Sequence, residues 1–163
     1  MRDKIFIAQH RGGELTLQHH QFLMNWAISC AEHVYHLVEE NFVINDVLTH
    51  ALFIAKEWEA GIVKTGKAMK AAYVVHTLAR DTESPILKSI ARSIGQAVST
   101  AHMADHSLGA SLYALKAIKL AGGSVVEEIA WQDRKLDSLP PEMIDLVKET
   151  RFVKKQAFRD LRD

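Results

Sequence analysis

The sequence predicts an all-α protein, a compact bundle of about six to seven helices. Only three prolines and eight glycines occur among 163 residues, which leaves room for long helices. Apolar residues recur at spacings of three and four, the period of a helix that buries one face. No segment shows a convincing two-residue alternation bounded by hairpin turns, so no sheet is expected.

Composition restricts the classes of partner. The chain has 20 basic and 20 acidic residues, whereas nucleic-acid binders normally carry a basic excess. No stretch reaches the roughly 18 apolar residues of a membrane span, and the N-terminus lacks the apolar run of a signal peptide. Cys30 is the only cysteine, which fits a reducing compartment. We therefore expect a complete, cytoplasmic protein that binds neither nucleic acid nor membrane.

The N-terminal residues are expected to stand apart from the helices. Residues 1–14 lack a helical pattern, and Gly12 and Gly13 separate them from the first helix. We interpret residues 1–14 as a loose arm and residues 15–163 as a single all-helical domain, since this length is ordinary for one domain.

Three helices are predicted in the first half of the chain. Apolar residues at helical spacing mark the first over residues 16–40. Asn45 can cap a second helix, which covers residues 45–58 and ends near Gly61. The third covers about residues 67–80.

The longest helical pattern lies beyond these three helices. Ser84 and Pro85 mark its start, because a capping residue precedes a proline at the first helical position. The pattern continues over residues 84–121 and ends at the glycine pair 122–123. Such a length is unusual in a globular protein, so we expect a break near residues 103–109. The sequence leaves open whether residues 84–121 form one helix or two.

Two more helices are predicted before the C-terminus. Ser124 and Glu127 form a capping box for the first of them. Pro140 and Pro141 end that helix and start the last one. The last helix has an acidic start and a basic end, an order that suits the helix dipole, and we interpret it as a solvated amphipathic helix. Its charged residues are Glu142, Asp145, Glu149, Arg151, Lys154, Lys155, Arg159 and Arg162.

The stretch TAHMADHSLGASLYA, residues 100–114, carries the most informative motif. It places His102, Asp105 and His106 in a run of small residues. If the helix is continuous, steps of three and four put one stripe of residues on a single face. Small members of that stripe would let a neighbouring helix approach closely. The stripe consists of Ala91, Gly95, Ser99, His102, His106, Gly109 and Tyr113.

Two interpretations of this motif stay open. In the first, His102 and His106 hydrogen-bond to carboxylates and backbone carbonyls across the bundle, because buried polar groups need such partners. In the second, their His-x-x-x-His spacing binds a divalent metal such as zinc. Neither His-Glu-x-x-His nor a paired Glu-x-x-His occurs, which disfavours a zincin-type protease and a di-iron bundle. The metal would need a third ligand, for which the candidates are Glu32, His33, His36, His50 and His76.

Other residues are assigned to the same polar core cluster or cavity. Trp26 and Cys30 share one face of the first helix and are interpreted as core, with Cys30 buried and inert. Glu32 lies between apolar positions, where a carboxylate usually pairs with arginine or histidine. No catalytic residue is assigned, because a phosphate-binding glycine loop and a serine elbow are both absent. The predicted cluster consists of His102, Asp105, His106, Glu32, Trp26 and Tyr113; the candidate partners of Glu32 are Arg80, Arg92, His102 and His106.

Four strings in the chain resemble a known family when they are taken together. They are WAISCAEHV, AKEWEAG, AAYVVHTLAR and IARSIGQAVSTAHMADHSLGASLYALKAI. They resemble the bacterial immunity proteins of the Imm-five-like domain family, which belong with polymorphic toxin systems. The resemblance covers about residues 26–118 and is most specific over residues 96–113.

The resemblance implies an all-helical protein that binds and neutralises a cognate bacterial toxin. It implies no enzymatic activity and no cofactor. The alternative function is a metal-dependent helical-bundle enzyme, or a ligand-binding protein, that uses the pair His102 and His106. Because the net charge is zero, electrostatic steering of a toxin would need a local patch, such as the arm or the last helix. We also consider a homo-oligomer, formed through an apolar stripe on the last helix at Ile144, Val147 and Phe152.

Overall fold

The computed structural model describes residues 1–39 and 42–162, and these residues contain seven α-helices. The all-α prediction is confirmed. Within these ranges, the extended residues pair only at an isolated bridge between Ala8 and Leu15, and no helix has the length and apolarity needed to cross a membrane. The helices are α1 Leu17–His33, α2 Phe42–Glu59, α3 Thr65–Asp81, α4 Pro85–Ser99, α5 His106–Leu120, α6 Val125–Arg134 and α7 Pro141–Lys155; short 3-10 helices lie at Lys4–Phe6, Gln9–Arg11, Tyr35–Leu37 and Arg159–Leu161.

The helix α4 lies at the centre of the bundle and packs against α1, α2, α3 and α5. Its buried residues are mostly small, so the neighbouring backbones can approach it closely. Ser93 ties α4 to α5, because its Oγ donates to the carbonyl of Ala110 at 2.7 Å. The buried residues of α4 are Ser89, Ile90, Ala91, Ser93, Ile94, Gly95, Ala97, Val98 and Ser99.

Two glycines lie at close approaches between these helices. A Cβ atom added to Gly95 would lie 2.5 Å from Cε1 of His76 on α3. A Cβ atom added to Gly109 on α5 would lie 2.6 Å from Oε1 of Gln96 on α4. Both separations are far below ordinary van der Waals contact, so each position leaves no room for a larger side chain unless a neighbour moves.

The long helical pattern over residues 84–121 is two helices, joined by a turn at residues 100–105. The break therefore begins a few residues before the predicted position. The amide of Thr100 still donates to the carbonyl of Gln96 at 3.1 Å, so the helical hydrogen bonds continue up to this residue. The next amides form tight three-residue turns, since the amide of His102 donates to Ser99 at 3.0 Å.

The break separates the residues of the predicted stripe. Ala91, Gly95 and Ser99 lie on α4, His102 lies in the turn, and three others lie on α5. The stripe, which depended on a continuous helix, is therefore not a single face, and the expected break is confirmed. The close packing expected from its small residues does occur, but it joins α4 to α3 and to α5. The members on α5 are His106, Gly109 and Tyr113.

Several helix ends have the capping chemistry predicted from the sequence. Oγ of Ser84 accepts from the amide of Leu87, and Oγ of Ser124 accepts from the amide of Glu127, both at 3.2 Å. Pro141 is the first residue of α7. Gly122, with φ of 82°, comes after α5 in the left-handed conformation that suits glycine at a helix end.

Two predicted helix ends are wrong. Asn45 lies inside α2, where its Oδ1 accepts from the hydroxyl of Tyr35 at 2.7 Å. The first helix ends at His33, short of the predicted residue 40. A ring nitrogen of His36 lies 3.0 Å from the carbonyl of His33, so a local donor satisfies a helix-terminal oxygen. Glu40, the predicted last residue, and Asp163 lie outside the described residues.

The N-terminal segment packs onto the bundle, so the prediction of a loose arm is wrong. The side chain of Phe6 is buried in the main apolar core at 3% exposure. The amide of Leu15 donates to Ile7 at 3.0 Å, and the amide of Gln9 donates to Leu15 at 3.1 Å. Burial of the phenyl ring favours this docked conformation over a solvated chain.

The helix α7 is partly buried, although a solvated helix was predicted. Four residues at a spacing of four form its inner face. Arg151 is 4% exposed, and Lys155 is 8% exposed. Of the stripe proposed for self-association, Val147 belongs to the core whereas Phe152 is 62% exposed. The inner face consists of Met143, Val147, Arg151 and Lys155.

We predict that Gly95→Ala destabilises the fold by about 1–3 kcal/mol, because the new methyl group must displace the His76 ring. That ring accepts a hydrogen bond from Arg92 at 2.9 Å, which resists its movement. Urea unfolding measures the change. Gly66→Ala is the matched control: its added Cβ meets open space in the first turn of α3, so stability should stay equal or rise by up to about 1 kcal/mol. Equal stability of the two variants would contradict the packing constraint at Gly95.

Candidate functional site

The turn at residues 100–105 and the start of α5 carry the three polar residues of the central motif. The side chain of His102 is exposed. Oδ2 of Asp105 accepts from Nε of Arg2 at 2.7 Å, so this carboxylate fixes the N-terminal segment to the turn. A ring nitrogen of His106, Nδ1, lies 2.8 Å from Oε1 of Gln96. Since an amide oxygen only accepts, Nδ1 of His106 is the donor.

Two imidazoles lie half-buried beside α4. Burial lowers the pKa of His106, and the neighbouring Asp105 carboxylate opposes that effect. Burial also lowers the pKa of His76, and the Arg92 guanidinium lowers it further. Nη1 of Arg92 donates to Nδ1 of His76 at 2.9 Å, which requires a neutral ring with a free lone pair. Both rings are therefore neutral hydrogen-bonding groups in the packed helices near neutral pH.

A cleft of about 610 Å³ opens between the N-terminal segment, α1, the α2–α3 connection and the α4–α5 turn. We call it the arm cleft. Such a volume lies within the range of sites for small molecules. Its lining residues are Arg2, Phe6, Ile7, Ala8, His10, Arg11, Leu15, Leu17, His20, Gln21, Trp58, Gly61, Val63, Lys64, Thr65, Ala101, His102, Met103 and Ala104.

The arm cleft is electropositive. Three permanent cations line it, Arg2, Arg11 and Lys64, and none of the described residues that line it carries a carboxylate. Asp105 pairs with Arg2, whereas Arg11 and Lys64 make no ion pair with any described residue. A concave site with charges of one sign concentrates ions of the opposite sign.

The inner end of the arm cleft is formed by His20 and Trp58. Their ring centroids lie 4.8 Å apart, and His20 is 8% exposed. Nε2 of His20 lies 2.5 Å from the carbonyl oxygen of Thr100, so this nitrogen is the donor. Burial lowers the pKa of His20 more than this hydrogen bond raises it. The bond joins α1 to the end of α4 and helps to fix one wall of the cleft.

A second group of polar side chains is buried near the middle of α1. Oε1 of Gln132 accepts from Oγ of Ser111 at 2.5 Å and from Nη1 of Arg151 at 3.1 Å. The indole of Trp26 donates to the carbonyl of Gln132 at 2.9 Å. Arg151 also pairs with Asp133. These bonds satisfy the buried groups and join α1, α5, α6 and α7, which assigns this network to structure.

The helices α1 and α6 meet at a stacked aromatic contact. The rings of His33 and Trp131 are parallel, with centroids 3.5 Å apart. Nδ1 of His33 lies 2.9 Å from both carboxylate oxygens of Glu128, a side chain that is 5% exposed. Nζ of Lys135 lies 5.3 Å from the centroid of the Trp131 ring. The imidazole therefore compensates for the burial of this carboxylate.

The structure does not gather the six predicted cluster residues into one site. Glu32 is exposed and pairs with Lys56 at 2.6 Å, so none of its expected partners holds it. Trp26 is buried in the network around Gln132, and Tyr113 packs edge-on against Phe158 with centroids 5.1 Å apart. Of the six, only His102 lines the arm cleft, and Asp105 pairs with Arg2 at its edge.

The described residues provide no third ligand for a metal ion bound by His102 and His106. Among the described residues, no group of three or more histidine, cysteine, aspartate or glutamate side chains could hold a metal ion. Metal binding by this pair therefore stays a prediction. Cys30 is fully buried, as predicted, and burial raises the pKa of its thiol, which opposes nucleophilic chemistry.

Sequence reasoning missed the basic residues of the arm cleft and the buried network. The N-terminal residues show no periodicity, so nothing in their pattern indicates which groups they approach. Arg151 had a usable signal, because it lies beyond Met143 and Val147 at a spacing of four on the apolar face of α7. No sequence signal indicated that Gln132 is buried, since an isolated glutamine in a helix is ordinarily exposed.

The fold and the cleft define an all-helical protein with a basic concave site. Comparison with known families identifies the family to which it belongs. A family model described as "Imm-5 like putative immunity protein" matches residues 13–139. The chain therefore belongs to this family of immunity proteins. No curated protein and no solved structure matches the chain significantly.

We predict that Gln132→Ala lowers the free energy of unfolding by about 2–4 kcal/mol, because it leaves buried donors of Ser111 and Arg151 without their acceptor. Chemical denaturation monitored by circular dichroism measures the change. Gln156→Ala, at an exposed position after α7, is the matched control and should change stability by less than about 0.5 kcal/mol. A loss of equal size in the control would refute the role of the network.

We predict that acid weakens the fold partly through His20. Burial lowers the pKa of His20, so between the folded-state pKa and pH 6.5 the unfolded chain binds a proton at this ring that the folded chain does not. The His20 contribution is therefore complete above pH 6.5 and is lost as the pH falls toward the folded-state pKa. In His20→Gln the loss of stability between about pH 7.5 and about pH 5 should be smaller than in the unmodified chain.

Urea midpoints at the two pH values give this comparison. His50→Gln, which removes an exposed imidazole, is the matched control for the substitution itself. An unchanged pH dependence in His20→Gln would show that another group is responsible.

Proposed function

We propose that this protein is an immunity protein of a bacterial polymorphic toxin system, which binds a cognate toxin and neutralises it without catalysis. The observation that carries this proposal is the family match over residues 13–139. Toxin neutralisation by binding requires an accessible surface of ordinary interface size and no reactive group. We place the protein in the cytoplasm, in keeping with its single buried thiol.

The exposed face of α3 is the best-supported place for toxin contact. Tyr73 is 72% exposed and Val74 is 50% exposed, although both lie in a well-formed helix whose opposite face is buried. Tyrosine is enriched among residues that dominate binding energy, because its ring buries a large area and its hydroxyl still finds a partner. A rigid helix loses little conformational entropy when such a side chain binds.

The same face of α3 has a local positive charge. Lys67 and Lys70 are exposed and make no ion pair with any described residue, whereas Arg80 pairs with Asp81 at 3.0 Å. The chain as a whole is neutral, so this helix can supply the local patch that electrostatic steering needs. The surface fits an acidic face of a toxin with an apolar centre.

The test uses the protein encoded beside the gene for this chain as the toxin. Both proteins are expressed from separate inducible promoters in a bacterial host, and colony formation reports protection. Lys67→Glu with Lys70→Glu should abolish protection, and Tyr73→Ala should weaken the purified complex by about 2 kcal/mol or more. Lys119→Glu with Arg134→Glu, on α5 and α6, is the charge-matched control and should protect fully.

Two results would count against this proposal. If the unmodified chain neither protects the cells nor forms a complex with a neighbour that is toxic by itself, the immunity function is wrong. If protection survives every substitution on α3, the function stands but the contact surface lies elsewhere. Circular dichroism melts of each variant exclude loss of the fold as the cause.

A further inference from the structure

We propose that the arm cleft binds a small amphipathic anion, a molecule with an apolar body and one carboxylate, sulfonate or phosphate group. This inference goes beyond the proposed function, because it concerns a concave site that toxin binding on α3 does not use. The family match assigns no function to this cleft. Three of its lining residues, Arg2, His10 and Arg11, lie outside the matched residues 13–139.

The shape of the arm cleft fits a small molecule better than a protein surface. Its volume is about 610 Å³, and four separate parts of the chain enclose it. Protein interfaces are usually broad and nearly flat, whereas small-molecule sites are concave and mostly apolar with a few polar groups. The α4–α5 turn and the docked N-terminal segment both line the cleft, and the ion pair between Arg2 and Asp105 joins them.

The inner surface of the arm cleft supplies apolar contact. Phe6, Leu15 and Ala104 are at most 3% exposed, yet each lines the cleft. The indole of Trp58 is held in place, because its Nε1 donates to Oγ1 of Thr65 at 3.1 Å. A fixed ring and buried aliphatic groups form a preorganised surface, so a hydrocarbon or aromatic body can bind with little loss of entropy.

The positive charges that line the arm cleft favour a ligand whose polar group is an anion. Arg11 and Lys64 come from different segments, the N-terminal 3-10 helix and the residue before α3, and both line the cleft. Nη1 of Arg11 donates to the sulfur of Met103 at 3.3 Å, and a thioether is a weak acceptor. Its guanidinium therefore keeps strong donors for an anionic oxygen. No carboxylate of the described lining residues would repel that anion.

The test uses two fluorescent probes that differ in one charged group. The first is 1-anilinonaphthalene-8-sulfonate, which has an aromatic body and a sulfonate. The second is N-phenyl-1-naphthylamine, the neutral compound without the sulfonate. With the folded full-length chain, the sulfonate should bind at one site per chain and about tenfold more tightly than the neutral probe.

Two charge variants locate the site. Arg11→Gln with Lys64→Gln should weaken the sulfonate about tenfold and leave the neutral probe within about twofold. Lys88→Gln with Lys119→Gln removes two exposed cations from α4 and α5 and should leave both probes unchanged. Gln21→Glu is nearly isosteric and adds a negative charge to the lining, so it should also weaken the sulfonate alone.

A further measurement needs no variant. Since the selectivity is electrostatic, raising sodium chloride should weaken the sulfonate and leave the neutral probe unchanged. The inference is overturned if the sulfonate does not saturate at one site, if both double variants weaken it equally, or if the two probes bind with equal affinity. None of these measurements contains a toxin, so failure here is separate from failure of the immunity function.

Discussion

Close packing of α4 against α3 and α5 is the constraint on which the rest of the structure depends. Gly95 leaves no space above the His76 ring, and Gly109 leaves none beside Gln96. A larger residue at either position would separate the central helix from its neighbours, because packed interiors have almost no free volume. The short turn at residues 100–105 requires this spacing too, since it must join α4 to a neighbour that lies directly alongside.

Polar groups are paired around Gln132, whereas two cations at the arm cleft make no ion pair with the described residues. Around Gln132 every buried donor has an acceptor, and the positive charge of Arg151 is matched by Asp133. That network is closed and gives the helices a fixed arrangement. At the arm cleft, Arg11 and Lys64 face a cavity with no carboxylate in its described lining. Unmatched charge beside a concave apolar surface indicates binding, whereas matched buried charge indicates structure.

A neutral chain can still present strongly basic regions. The chain has equal numbers of basic and acidic residues, yet Arg2, Arg11 and Lys64 line the arm cleft, and Lys67 and Lys70 are exposed on α3. Lys64 in the cleft is three residues before Lys67 on α3, so the two surfaces share the start of one helix. Four parts of the chain surround the arm cleft, whereas the exposed face of α3 belongs to one helix, which is the reason that we assign the helix face to a protein and the cleft to a small anion.

The sequence by itself determined the all-α class, the capped starts of α4 and α6, and the family, because these depend on periodicity, local hydrogen bonding and a family resemblance. Helical spacing could not place the break at residues 100–105, since the small and apolar residues there fit a helical pattern as well as a turn. Only the tertiary structure decided where the non-helical N-terminal residues dock, and therefore that a basic cleft exists. It also decided that Arg151 is buried, because burial of a cation requires Gln132 and Asp133 from another helix to be in place.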